Sequence, residues 1–254
     1  MRITGLSARP PLAGDVPTAL TGAVSLLGQR PAISALGPDG RREQGFASLA
    51  GWVAKGANLL HVELGLGPGA RVAVAGPAGW PLAAVTLSAW WIGAAIVPAC
   101  DPDAPTADVT VLHVGCAAPS VAGAERFLFG DALDGTGTPT DAQVRGEQWT
   151  DAVTPHGDRP PAPARDGGLV ALAGHGEEDL TQQVMLARLA EESGVLAIAR
   201  VGDEDVLMRP DAARLLAALV LRPLVTGSAT VVIDHDDPGR DAHADAERVS
   251  RWYV

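Results

Sequence analysis

The chain has 254 residues, 47% of them hydrophobic and only 4% aromatic, with a formal net charge of −11 and a pI near 4.9. A chain of this length and apolar content can bury a large core filled by Ala, Val, Leu and Gly, which excludes the disordered classes. The acidic balance opposes a nucleic-acid partner or an anionic lipid surface at long range.

Leu20, Val24 and Leu27 recur at helical spacing and predict a first helix over 16–29. Apolar stretches 32–36 and 44–47 flank Gly37-Pro38-Asp39-Gly40-Arg41-Arg42, a hairpin-type turn. Ser48 is placed as the cap of a second helix, 49–63, with Leu49, Trp52, Val53, Leu59 and Leu60 on its apolar stripe. Lys55, the sole lysine, lies between these positions and reads as a solvated side chain. The run Gly65-Leu66-Gly67-Pro68-Gly69 ends that helix.

A strand at 71–75, a helix at 80–92 and a strand at 94–98 follow, a β-α-β order that implies parallel pairing. Val72 to Cys100 carries no charge and is long enough for a spanning helix of ~20 residues. Pro77, Pro81, Pro98, Gly76 and Gly79 interrupt it, so no membrane span is expected. Of Trp80, Trp90 and Trp91, two are assigned to the core and the third is available to a partner surface.

Further strands are predicted at 108–114 and 126–129. Residues 131–167 are dense in Pro and Gly and read as a surface connection, with a short helix near 148–153. A subdomain boundary is placed near 155–167, within a single domain spanning 1–254. The rhythm resumes with a strand at 168–173, a helix at 178–192, strands at 195–200 and 206–208, a helix at 211–224 and a strand at 229–233. An acidic helix over 241–252 closes the series. The expected fold is α/β, an open, mostly parallel sheet flanked by helices.

Cys100 and Cys116 form no disulfide framework and no C-x-x-C pair, and read as reduced, buried thiols. The N-terminal stretch lacks the apolar segment of a signal peptide, which points to the cytoplasm. Arg in place of nearly every Lys, with abundant Ala, Gly and Pro, is the bias of high-GC bacterial coding.

The blocks GLGPGARVAV (65–74) and GAAIVP (93–98), with the "PAIS" strand and charged hairpin before them, resemble the opening of the adenylate-forming (AMP-binding) superfamily. That superfamily includes acyl-CoA synthetases, luciferases and peptide-synthetase adenylation domains. The later phrase LLAALVLRPLVTGSATVVID (215–234) is similar to a further segment of the same family. The resemblance spans most of the chain with gaps around 103–165, and it rests on turns and buried strands rather than on chemistry. It implies the N-terminal subdomain fold of those enzymes.

The family's phosphate loop is Ser/Thr/Gly-rich and followed by Pro-Lys, with backbone N–H groups cradling ATP. The matching place here, after strand 168–173, reads Ala173-Gly174-His175-Gly176-Glu177-Glu178-Asp179. Gly174, His175, Gly176 and Glu177 are therefore a degenerate phosphate-loop position, without hydroxyls or lysine and with carboxylates where polyphosphate would sit. The acidic residues read alternatively as the first turn of helix 178–192, favoured by the helix dipole. The family's adenine-side segment, ribose-binding Asp and catalytic Lys would lie further along than these residues.

The resemblance thus implies no catalytic residue and no resident cofactor, with ATP or AMP the nucleotide to test. His235, His243 and Asp245 read as a solvated loop, with a weak metal site as the alternative; no metal is expected. The favoured function is a non-catalytic domain acting in ligand binding or protein association, with a homodimer or protein partner covering an exposed apolar face. The alternatives are an acyl-adenylate or acyl-CoA ligase with an altered site or one completed by a second chain, and a nucleotide-binding module without turnover.

Overall fold

The computed structural model describes residues 9–10, 12–37, 40–116, 119–120, 125–132, 134–141, 144–174, 179–189 and 191–253. In chain order its elements begin with α1 (Val16–Leu27), β1 (Pro31–Gly37), β2 (Gly40–Gly45) and α2 (Phe46–Asn58), the last continued by a π-helical turn, Leu59–Glu63. Next come β3 (Arg71–Ala75), α3 (Trp80–Trp91), β4 (Ala95–Pro98), β5 (Val109–His113) and β6 (Glu125–Phe129). These lead to β7 (Glu147–Gln148), α4 (Trp149–Val153), β8 (Val170–Leu172), β9 (Leu180–Thr181), α5 (Gln182–Ala187) and β10 (Val195–Arg200). The remainder is α6 (Ala212–Leu216), a π-helical turn, α7 (Arg222–Thr226), β11 (Thr230–Asp234), α8 (Arg240–Ala246) and β12 (Val249–Tyr253).

The strands form two sheets rather than one. A five-stranded sheet runs β12-β10-β11-β1-β2, and a seven-stranded sheet runs β7-β6-β5-β3-β4-β8-β9. Pairing is parallel throughout except for β1 with β2 and β8 with β9. Side chains alternate across each strand, and the alternation decides the layers. Val72 and Val74 face a large inner core while Ala73 and Ala75 face an outer cluster. In the other sheet Ile33, Ile198 and Val232 face the same inner core, and Leu36, Ala197 and Val231 face outward. Both sheets contribute to one apolar interior shared with α1, α2, α3, α5, α6 and α7.

α3 shows why the uncharged run is no membrane span. All twelve of its residues are buried, as expected for a helix that is apolar all round and enclosed by protein. No described helix is long and apolar enough to cross a membrane. Trp90 donates from Nε1 to Ala171 O at 2.7 Å, Trp91 donates to Pro161 O at 3.0 Å, and Trp80 packs on Trp52 with ring centroids 5.3 Å apart. All three α3 tryptophans are therefore spent inside the chain, including the one assigned to a partner surface. The turn into β4 needs Gly93 at φ +81, where a Cβ would also stand 2.9 Å from Ala164 Cβ.

Several predicted elements change. α2 begins at Phe46, so Ser48 lies inside the helix and donates to Gln44 Oε1 instead of capping. Lys55 is not free in solvent: its Nζ donates to His156 O at 2.9 Å and pairs with Asp158 at 3.0 Å. With Asn58, which donates to Gly157 O and Arg159 O, it fastens the strap over residues 155–161. The predicted helix 178–192 shrinks to α5, capped by Thr181, because Leu180–Thr181 pairs with β8 as a strand. Residues 206–208 form a 3-10 turn, and the predicted helix 241–252 divides into α8 and the strand β12.

Candidate functional site

Parallel strands bring their C-terminal ends to one edge, and the first polar residues after each apolar run collect there. In the five-stranded sheet Arg200 ends β10 beside Asp234, which ends β11. In the seven-stranded sheet His113 ends β5 beside Phe129, which ends β6, and Asp131 follows two residues later. Asp203 and Asp205 lie in the turn after β10, and Asp205 reaches back to the end of β3 through Gly76 N.

The two sheets meet through these side chains. Arg200 grips Asp131 with two bonds, Nη1 to Oδ1 at 2.8 Å and Nη2 to Oδ2 at 2.5 Å, the fork geometry that makes such pairs strong. The same guanidinium lies 3.5 Å from Asp203 and 3.9 Å from Asp234. Arg42 on β2 donates to the main-chain oxygen of Asp131. His113, 2% exposed, places Nε2 3.3 Å from Asp131 Oδ2 and Nδ1 3.7 Å from Asp203 Oδ1, with its ring edge-on to Phe129.

Charge is unevenly settled here. Burial opposes ionisation of Asp131, but the nearby His113 Nε2 and the Arg200 hydrogen bonds outweigh it and hold the carboxyl well below the usual carboxylate range. Burial pushes Asp234 up, with Arg200 only partly offsetting it. Burial also pushes Asp205 up, although Gly76 N and Leu207 N each donate to Oδ1 at 3.0 Å. Cys100 and Cys116 lie in the electrostatic reach of Asp205, and burial followed by that charge raises them to about 11 and about 12. Beside the cluster opens a cavity of about 170 Å³ walled by Leu36, Gly37, Arg42, Asp131, Arg200 and Asp234.

His113, Asp131 and Asp203 come within metal-ligand spacing of one another. They fit a cation poorly. The Arg200 guanidinium already bonds one carboxylate and approaches the other, so a positive group stands in the place a metal would take. His113 Nδ1 accepts from Gly115 N at 3.1 Å, which leaves Nε2 as the protonated nitrogen facing Asp131.

The positions singled out from sequence lie elsewhere. Gly174 follows β8 with φ +72, against Pro105. In the sheet order β8 is three strands from β5, roughly 14 Å at ~4.8 Å per strand. His175, Gly176 and Glu177, with Glu178, lie outside the described residues. Asp179 is exposed ahead of β9, and α5 begins only at Gln182, so Asp179 does not lie in its first turn. His235 contacts Arg240 and His243 contacts Asp237, so the two histidines do not share a ligand set.

The strand-end cluster escaped the sequence reading although a signal was present. VTVLH, RFLFGD, LAIAR and VVID each end an apolar run in a charged or titratable residue. In a parallel α/β sheet that is where ligands bind.

No family model matches the sequence. A protein of Mycobacterium tuberculosis (strain ATCC 25618 / H37Rv) described as a TIGR03089 family protein is 37% identical over 150 residues, covering 55% of this chain and 58% of that protein. Among solved structures, the crystal structure of Brucella canis acyl-CoA synthetase superposes with a TM-score of 0.62 at 19% identity, over 89% of this chain and 44% of that one. The chain therefore spans a little over half of the curated relative and under half of the solved structure. At this identity the structural likeness shows the fold: mixed α/β with mostly parallel sheets flanked by helices, as in an acyl-CoA synthetase.

Proposed function

We propose that the chain is an adenylate-forming-enzyme-like domain that binds a small polar or cationic ligand, or a protein partner, and forms no adenylate. The observation that supports this reading is the charge at the strand ends. Asp131, Asp203, Asp205 and Asp234 gather there, with Arg42 and Arg200 the guanidiniums among the described residues that bond or approach them, and Asp131 already engages both. Each like-charge pair at 4 Å costs about 1 kcal/mol in water and about 4 kcal/mol at an effective dielectric of 20. A polyphosphate entering this edge meets that repulsion with no unpaired cation to offset it among the groups above. A neutral or cationic group does not.

The acyl-CoA synthetase likeness supports a second reading, a carboxylate-activating ligase with an altered site. ATP–pyrophosphate exchange with a panel of carboxylic acids separates the two. The domain as proposed gives no exchange above background and no saturable heat with millimolar ATP or AMP. Exchange dependent on one acid overturns the proposal in favour of the ligase. The six large apolar side chains exposed among the described residues, Leu12, Leu26, Val62, Val184, Val201 and Met208, stand on separate segments. A protein partner would therefore dock through mixed contacts, and light scattering across a dilution series reads whether a homodimer forms.

A further inference from the structure

On surfaces away from the strand-end crevice, the C-terminal side of α5, α6 and β12 encloses a cavity of about 180 Å³. In a chain of net charge −11, its walls carry Arg188 and Arg214 against a single carboxylate, Glu192. That carboxylate is already committed. Arg222 donates from Nε to Glu192 Oε2 at 2.9 Å, and Arg251 lies 3.4 Å from Oε1. Arg222 is itself 1% exposed, and its Nη1 has no hydrogen-bond partner among the described residues. Positive charge at this place thus exceeds what the local carboxylate can balance.

The donors are poised for an acceptor that the described residues do not supply. Arg188 makes no side-chain hydrogen bond or ion pair to another described residue. Arg214 uses Nε on Tyr253 Oη at 2.9 Å, with its guanidinium carbon 4.5 Å from the Tyr253 ring centroid. Because Tyr253 Oη accepts that bond, its own proton is free to donate to something else. The remaining wall is apolar and buried, formed by Met185, Leu189 and Ala217 at 1%, 4% and 6% exposure.

We propose that this cavity binds a small organic anion, a compact carboxylate or phosphate-monoester head held by Arg188, Arg214 and the Tyr253 hydroxyl, with a short apolar body against Met185 and Leu189. Guanidinium forks suit both heads. The volume suits a ligand of roughly six water-sized groups, at ~30 Å³ for each. The inference is independent of the strand-end reading, since the two places share no residue.

Isothermal titration calorimetry on the full chain tests it, with butyl phosphate, hexanoate and neutral 1-hexanol as probes. At least one anion saturates with a dissociation constant below about 1 mM, and hexanol does not. The anion that binds more tightly identifies the head group. Arg188→Gln and Arg214→Gln each weaken binding about tenfold or more, and Tyr253→Phe weakens it several-fold, while circular dichroism stays that of the parent. Arg188 is exposed, so its variant keeps the test valid should Arg214→Gln disturb packing. Absence of saturation by both anions up to about 10 mM, equal binding of hexanol, or parental affinity in Arg188→Gln overturns the proposal.

Discussion

Arg200 is where the two sheets are fastened, and replacing it with Gln isolates that role. The variant loses two short bonds to Asp131 and a guanidinium within 4 Å of both Asp203 and Asp234. Breaking a fully buried pair costs about 3–5 kcal/mol, whereas exposed pairs contribute about 0–1 kcal/mol. Here the Arg200 side chain is 17% exposed and that of Asp131 47%, so the pair lies between those limits. An intermediate loss of about 2 kcal/mol follows, or about 4–8 °C in melting temperature for a chain of this size.

The loss carries a pH signature. In the parent, Asp131 is held below the ordinary range, so its contribution is full above the unfolded value near ~3.9 and fades as pH falls through the lower folded value. Without Arg200 that contribution shrinks. Asp234, already raised by burial, moves further up because Arg200 was lowering it. A raised carboxyl costs stability as pH rises from its unfolded to its folded value. The deficit of Arg200→Gln is therefore largest at neutral pH and narrows toward about pH 4. Urea denaturation of the parent, Arg200→Gln, Asp131→Asn and the double variant reads both effects. A coupling energy under about 0.5 kcal/mol, or a deficit that does not change with pH, refutes the clamp.

Three further outcomes follow from particular contacts. Gly76→Ala places a methyl 2.5 Å from Phe129 Cζ and 2.9 Å from His113 Cβ; it should destabilise by about 1–3 kcal/mol in chemical denaturation. Cys100 and Cys116, raised to about 11 and about 12, should react with a disulfide reagent at pH 8 at least about a hundredfold more slowly than in the unfolded chain. Equal rates would contradict the burial of Cys116 and the partial burial of Cys100, which is not the fully buried thiol expected from sequence. Lys55→Ala removes the bond to His156 O and the pair with Asp158, and should speed protease cleavage within 155–161 while changing global stability by about 1 kcal/mol or less.

The parts of the fold that could be read in the sequence are those fixed by local rules. Leu20, Val24 and Leu27 gave the register of α1, and Asp15 caps it with a bond to Thr18 N at 2.8 Å. Gly65 and Gly69 adopt φ +70 and +90, the freedom for which the GLGPG turn uses glycine. Errors fell where pairing overrides periodicity. Leu180, Val184, Leu186 and Leu189 keep helical spacing, yet the main chain of Leu180 and Thr181 is taken by β8. Most of β12, residues 249–252, reads as part of an acidic helix because its pairing with β10 lies more than fifty residues back. The division into two sheets has the same cause, since β1 sits beside β11 across nearly two hundred residues. The site was hidden for that reason as well: His113 and Asp131 belong to one sheet and Arg200 to the other, so they become neighbours only once both are assembled.

The distinction between scaffold and strand ends also separates what builds the fold from what lines the cavity beside it. The blocks 65–74 and 93–98 place Val72, Val74, Ile96 and Val97 in apolar interiors, where a change of side chain is felt through packing. The strand ends are mixed: His113 and Phe129 are buried there, whereas Asp131, Asp203 and Asp234 reach solvent and are less constrained by packing. At those ends Arg200 and Asp131 satisfy each other across the sheets, and any ligand entering the neighbouring cavity must leave that pair intact or replace it. A polyanion replacing Asp131 on Arg200 would strand Asp131, Asp203 and Asp234 together. A cationic or hydrogen-bonding group can instead engage Asp234, which is half-buried, raised in pKa by burial and approached by Arg200 at 3.9 Å. On the proposed reading, a ligand at this edge is therefore selected by sign of charge before shape is considered.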